Sequence, residues 1–95
     1  MASGYESITV STSSIGITAT LIDTGENYAF ITVEDATIRY RLDGTAPTTS
    51  EGHMAVAGSS ITLWDDEVSR FRAIRDDASD AVLKVSVGIR SEYSA

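Results

Sequence analysis

Polar and apolar residues alternate along most of this chain with a period of two. The clearest case is residues 37–42, where Ile38, Tyr40 and Leu42 share one parity and two arginines share the other. Successive side chains of a β-strand point to opposite faces, so this pattern predicts a strand with one buried face. Comparable patterns predict six further strands, at residues 6–12, 17–22, 28–33, 59–63, 70–75 and 81–87.

Three segments depart from simple alternation. Residues 28–33 form an apolar run broken only by Thr32, which is typical of a central strand covered on both faces. In residues 70–75, Phe71 and Ile74 have opposite parity, which indicates a β-bulge. Residues 65–69 predict one helical turn, because their acidic side chains come first, where the helix dipole favours negative charge.

The length of 95 residues is enough for one compact domain and too short for two. About seven short strands at this spacing predict an all-β fold, a single small antiparallel β-sandwich of Ig-like or jelly-roll-like type, with a small β-barrel as the alternative. We expect one domain over residues 1–95. Residues 1–5 and 89–95 are expected to form flexible or partner-bound tails.

The net charge is −7, from fourteen acidic and seven basic residues. Nucleic acids and anionic membranes attract basic surfaces, so neither is an expected partner. No segment is long and apolar enough to span a membrane. There is no cysteine, which excludes disulfides and thiolate metal sites. Residues 1–5 lack the basic and apolar regions of a signal peptide, so we expect the protein to stay in, or assemble in, a cytoplasm.

The candidate chemistry of the chain is sparse. His53 is the only histidine, and no nucleophile-elbow pattern surrounds any serine, so a loop or packing role is expected for it. The acidic groups at 65–67 and 76–80 offer oxygen ligands but lack calcium-loop spacing, which favours solvated turns. No glycine pattern matches a phosphate-binding loop. We therefore predict a non-enzymatic protein without a cofactor or a metal.

The best single candidate for an interface contact is Trp64, which directly follows a predicted strand. A structural anchor and a sugar-stacking platform are the alternatives for this ring. The four arginines Arg39, Arg41, Arg70 and Arg72 form two Arg-x-Arg pairs on predicted strands, so each pair projects from one face. They predict either a solvated face with acidic neighbours or an interface stripe that meets acids of another copy. Further interface candidates are Tyr5 and Tyr93.

Residues 38–48, which read I-R-Y-R-L-D-G-T-A-P-T, predict a strand followed by a structured turn. Asp43 can accept backbone hydrogen bonds, Gly44 permits positive φ, and Pro47 fixes its own φ. The segment resembles the I-R-Y-x-x-D-G-x-x-P-T signature of β-sandwich modules appended to carbohydrate-active enzymes.

The segment is still more similar to small virion proteins of tailed bacteriophages. In those proteins the turn is followed by a glycine, a short loop, Gly-x-x-Ile-x-Leu and Phe-x-x-Ile. The matching residues here are Gly52, Gly58, Ile61, Leu63, Phe71 and Ile74. The resemblance covers about half of the chain, over residues 38–87.

The phage resemblance implies a structural part of the particle, such as a capsid decoration (cement) protein or a head or tail accessory protein. Its partners would be the major capsid protein, other virion proteins or further copies of itself, and it would be assembled in the host cytoplasm. The resemblance implies no catalytic residue. The resemblance to enzyme-appended modules leaves a carbohydrate-binding or adhesion module as the alternative, for which Trp64 and Tyr40 are the candidate platforms.

Overall fold

The computed structural model describes residues 2–22 and 25–89, and within them it contains seven strands in two antiparallel sheets. The strands are β1 (Ala2–Val10), β2 (Tyr28–Glu34), β3 (Ile38–Arg41), β4 (His53–Ala55), β5 (Ser60–Trp64), β6 (Arg72–Arg75) and β7 (Ala81–Gly88). One short helix, α1 (Glu67–Arg70), and one 3-10 turn (Ala19–Leu21) lie between strands. The predicted helical turn near residue 67 is thereby confirmed.

The two sheets form a small β-sandwich, which confirms the predicted fold class. One sheet has four strands in the order β1-β7-β2-β5, and the other has three in the order β4-β3-β6. The last strand therefore lies between the first two. In Ig constant-type domains the first two strands pair directly, so the strand order here is a different one.

The hydrophobic core lies between the sheets and is built from alternate residues of each strand. In β7 the inward residues Leu83, Val85 and Val87 are fully buried, as the alternation predicts. The largest fully buried side chain is Phe71, at the junction of α1 and β6. In the described residues, every residue classed as buried in this core is hydrophobic. Burial of this apolar surface is the main favourable contribution to folding.

Residues 11–16, which we call the crossover segment, leave the four-stranded sheet at the end of β1 and join the three-stranded sheet. The backbone N–H of Arg75 donates to the Ser11 carbonyl at 2.9 Å. Ile15 and Ala73 exchange two backbone hydrogen bonds of 3.0 and 2.8 Å. The crossover segment thus covers the β6 edge of the three-stranded sheet.

Residues 17–22 were expected to form a strand, and this prediction is wrong. They contain the 3-10 turn, with Thr18 held by two bonds to the Glu6 carboxylate at 2.9 and 2.6 Å. Ile17 and Leu21 contribute to the core or pack against it, and their spacing of four suits a helical turn rather than an extended strand. The sequence looks like a strand because threonines alternate with apolar residues between positions 17 and 21.

Other boundaries also differ from the expectations. Residues 2–5, expected in a tail, belong to β1. His53, expected in a loop, begins β4 and lies opposite Tyr40 in β3. The β3–β6 register is continuous, so the predicted bulge in 70–75 is absent from that pairing, and Ile74 lies opposite Arg39 on the outer face. Residues 90–95 lie outside the described residues.

Candidate functional site

The outer face of the four-stranded sheet carries four aromatic side chains at one end. Tyr28 and Phe30 come from β2, Trp64 from β5 and Tyr5 from β1. We call this group of Tyr5, Tyr28, Phe30 and Trp64 the aromatic face. Its residues share one side of the sheet because each has the parity opposite to the buried residues of its strand.

The strand register places the four rings in two adjacent rows. Tyr28 lies directly opposite Trp64, and their ring centroids are 5.0 Å apart with planes tilted by 48°. Phe30 occupies the next row, where Ser86 of β7 separates it from Tyr5. Tyr5 is 61% exposed, and Phe30 and Trp64 are each 39% exposed. Aromatic surface is therefore presented to solvent on strands that are paired within the sheet.

The strand residues around the rings on this face are mainly hydroxyl-bearing. Thr62 continues the row of Phe30, and the next row across the sheet contains Ser7, Lys84 and Thr32. Lys84 is the only lysine in the chain, and its Nζ donates to the Ser7 hydroxyl at 2.8 Å. The middle of the face thus carries one positive charge, although the whole chain has a net charge of −7.

The outer face of the three-stranded sheet is different, because its arginines are held by other parts of the chain. Arg39 Nε donates to Asp76 Oδ2 at 2.9 Å, and Arg39 Nη1 donates to the Gly52 carbonyl at 3.2 Å. Arg72 Nε donates to the Ser14 hydroxyl at 2.9 Å, and Arg72 Nη2 donates to the Ser14 carbonyl at 3.1 Å. These bonds tie the loop before β4, the β6–β7 loop and the crossover segment to the sheet.

Arg41 supports the turn after β3. Its guanidinium donates two hydrogen bonds to the Asp43 carboxylate, which also accepts the backbone N–H of Thr45. These bonds lower the pKa of the Asp43 carboxyl below its ordinary value, with the Arg41 bond as the largest cause, and the pKa of Arg41 is raised in return. Gly44 has φ of +85°, which confirms the predicted need for glycine in this turn. Pro47 is buried.

Arg70 and Arg72 do not form the predicted strand pair. Arg70 is the last residue of α1 and is exposed, whereas Arg72 begins β6 directly opposite Arg41. The expected stripe is therefore made of Arg39, Arg41 and Arg72, without Arg70. All three side chains form hydrogen bonds within the chain, which gives them a structural role. A role of these arginines in an interface stays a prediction.

A shallow cleft of about 500 Å³ lies at the β4 edge of the three-stranded sheet, lined by Arg41, Leu42, Asp43, Glu51, Gly52 and His53. The His53 ring packs beside Tyr40, with centroids 5.4 Å apart. Tyr40 in turn packs against the core and Phe71, so it is not an exposed platform. The cleft lining contains no serine, cysteine or threonine nucleophile. Across residues 2–22 and 25–89, no three His, Asp or Glu side chains converge on a metal position.

The structure brings two predicted interface residues, Trp64 and Tyr5, to one face. Tyr93 lies outside the described residues. Tyr28 and Phe30 were missed, because residues 28–33 were expected to be covered on both faces, and this expectation is wrong. The useful signal in the sequence is the position of the large aromatic residues. Tyr28 and Phe30 occupy the same alternating positions as polar Thr32, whereas the aliphatic residues of the strand occupy the positions between them.

Comparison with known proteins yields no matching family model, no similar curated protein and no similar solved structure. In the part of the chain that the structure describes, no helix has the length and apolar character needed to cross a membrane.

Proposed function

We propose that this protein is a non-enzymatic virion structural protein, a capsid decoration protein of a tailed bacteriophage that binds the capsid shell. The observation that carries the proposal is the aromatic face, where Tyr5, Phe30 and Trp64 project from three strands of one sheet and are partly exposed to solvent. The resemblance of residues 38–87 to phage virion proteins supplies the choice of partner.

The aromatic face has the chemistry of an interface centre. Tyrosine and tryptophan combine large contact area with few rotatable bonds, and they are enriched among residues that dominate binding energy. The rings of Tyr28, Phe30 and Trp64 stand on paired strands, so little backbone order has to be gained on binding. An antiparallel sheet normally presents polar residues on its solvent side, and the aromatic side chains here depart from that rule.

The distribution of charge also supports a protein partner. Docked through the aromatic face, the protein would turn Lys84 towards its partner, while turns such as those at Asp65 and Asp77 would stay near the rim or in solvent. Charged residues are depleted at the centres of protein interfaces, and the row of Tyr5, Ser86, Phe30 and Thr62 across this face contains none. A negative outer surface would also keep decorated particles from associating with each other.

The proposal is tested by rebinding the purified protein to particles that lack it. We expect Trp64→Ala to weaken binding about 30-fold, which corresponds to about 2 kcal/mol for a central aromatic contact. The matched control is Met54→Ala, because Met54 is an apolar residue on the opposite sheet and is more exposed than Trp64, at 56% against 39%. Equal binding of the two variants, or no binding of the wild type to any particle, would overturn the proposal.

A carbohydrate-binding module is the second candidate. The observation that favours it is the Tyr28–Trp64 pair on the sheet surface beside the hydroxyls of Thr62 and Ser86, since sugars present both C–H faces and hydroxyl groups. A glycan array together with Trp64 fluorescence distinguishes the two functions. Glycan binding that Trp64→Ala abolishes, without any binding to particles, would favour this candidate.

A further inference from the structure

We infer that the outer edge of β5, which pairs with no other strand in residues 2–22 and 25–89, is a strand-pairing interface, and that its occupant is β5 of a second copy of this chain. The two β5 strands would pair in antiparallel orientation about a two-fold axis through Ile61. Their four-stranded sheets would then form one eight-stranded sheet. This inference does not depend on the proposed function, because it uses the backbone edge of β5 and not the aromatic face.

The backbone of β5 offers hydrogen bonds in the required direction. Val33 donates to the Ser59 carbonyl at 2.9 Å, and Asp65 donates to the Asn27 carbonyl at 2.8 Å. Because antiparallel bonds alternate along a strand, residues 59, 61, 63 and 65 face β2. Ser60 and Thr62 therefore direct their N–H and C=O groups away from the sheet, and both residues are exposed.

The other sheet edges in the described residues are protected. On β1, a register shift lies between Ala2 and Gly4, and the Glu6 side chain binds Thr18 across the edge. The β6 edge is covered by the crossover segment. The β4 strand has only three residues. Bulges, charges, covering segments and short strands are the usual means by which sheet edges avoid pairing.

The sequence of β5, Ser60–Trp64, contains none of these protections within its five residues. It has no charge, no proline and no bulge, and its inward residues Ile61 and Leu63 are buried. At the Trp64 end of the strand, Glu67 Oε1 accepts the backbone N–H of Trp64 at 3.1 Å. That contact closes the end of the edge and leaves Ser60 and Thr62 open.

Charge selects the antiparallel orientation. A two-fold axis through Ile61 places Ser60 opposite Thr62 of the second copy, which gives four backbone hydrogen bonds and leaves the Glu67 contact intact. It also places Asp65 beside the uncharged turn at Gly58 of the second copy, where the space around Gly58 is open. A parallel pair would bring the acidic residues after β5 of the two copies together, and like charges repel.

The first test is the oligomeric state, measured by sedimentation of wild type and Thr62→Pro over a concentration series. Proline removes an N–H that points away from the sheet, so the fold should be retained. We expect a wild-type dimer whose Kd rises about 30-fold in Thr62→Pro, from the loss of two hydrogen bonds of about 1 kcal/mol each. The matched control is Thr62→Val, which changes the same side chain but keeps the backbone N–H and the β-branched shape, and it should dimerise normally.

The second test reads the register and does not require a proline. The chain has no cysteine, so Ser60→Cys and Thr62→Cys can be made singly and mixed. The proposed register puts these two positions about 5.5 Å apart between Cα atoms, within disulfide range, while like positions lie about 7–8 Å apart or more. We expect rapid cross-linking in the mixture only. A wild type that stays monomeric, a Thr62→Pro dimer of unchanged affinity, or a mixture no faster than either variant alone would overturn the inference.

Discussion

The two outer faces of this sandwich have opposite chemistry. On the four-stranded sheet, Tyr5 is 61% exposed, and Phe30 and Trp64 are each 39% exposed. On the three-stranded sheet, Arg39 and Arg72 bind groups from loops and from the crossover segment. The first face has surface left for a partner, while the polar groups of the second are largely engaged within the chain.

This difference shows that residue type alone does not identify an interface. Arginine and tryptophan are both enriched at protein interfaces, so both kinds of residue were reasonable candidates. The two faces differ because the guanidinium groups of Arg39 and Arg72 are bonded within the chain, whereas Tyr5, Phe30 and Trp64 keep 39–61% of their surface exposed. Arg39 is 21% exposed and bonded at two nitrogens, so recruiting it for a partner would require breaking contacts that hold two loops.

The largest expected effect comes from a substitution beneath both faces. Phe71→Ala should lower the free energy of unfolding by about 3–5 kcal/mol, because it removes a fully buried ring from the centre of a small core. Both faces should then be lost in one transition, which denaturant unfolding followed by Trp64 fluorescence and circular dichroism would detect. Loss of the three-stranded sheet alone would show that the two faces are independent.

A smaller effect should separate the two faces from each other. Arg39→Met should cost about 1–2 kcal/mol, because Asp76 and the Gly52 carbonyl lose a charged donor. Tyr5→Thr, on the aromatic face, should change stability by no more than about 0.5 kcal/mol, since the ring is exposed and threonine suits a strand. Chemical denaturation of both variants measures the difference, and equal costs would contradict the proposed division of roles.

The smallest expected effect is a pH dependence on the arginine side. The pKa of Asp43 is lowered in the folded state, mainly by the Arg41 bond, so its stabilising contribution is present above the ordinary pKa of 3.8 and is lost as pH falls through the lower folded value. The thermal unfolding midpoints of wild type and Asp43→Asn should therefore differ above pH 3.8 and converge as the pH falls through the lower folded pKa of Asp43.

The matched control for this experiment is Asp66→Asn. It removes the same charge from a residue whose side chain makes no capping hydrogen bond. A pH-dependent difference from wild type of the same size in Asp66→Asn would assign the effect to net charge rather than to the Arg41–Asp43 pair.

The sequence predicts the fold class well because period-two alternation reports directly on a half-buried sheet. Six of the predicted strands correspond to strands of the structure. The failures have local causes. Residues 17–22 imitate a strand through alternating threonine and alanine, whereas β4 is only three residues long and its pattern is too brief to recognise.

The candidate site could be predicted only in part. Trp64 and Tyr5 are predictable because each is an aromatic residue directly next to a strand that the alternation predicts. Phe30 was missed because a strand flanked on both sides in its own sheet can still leave one surface of that sheet uncovered. Pairing within a sheet and covering of its surface are separate properties, and the sequence pattern of β2 reports mainly on the first.

The crossover segment also has a consequence for how the molecule unfolds. Because residues 11–16 continue directly from β1 and bond to β6, opening the sandwich along this side would break pairing in the second sheet as well. The backbone amides of Ala73 and Arg75 should therefore exchange with solvent only as rarely as those at the centre of β7. A pulling force applied through β1 would be shared between the two sheets, so the protein should yield as a single mechanical unit.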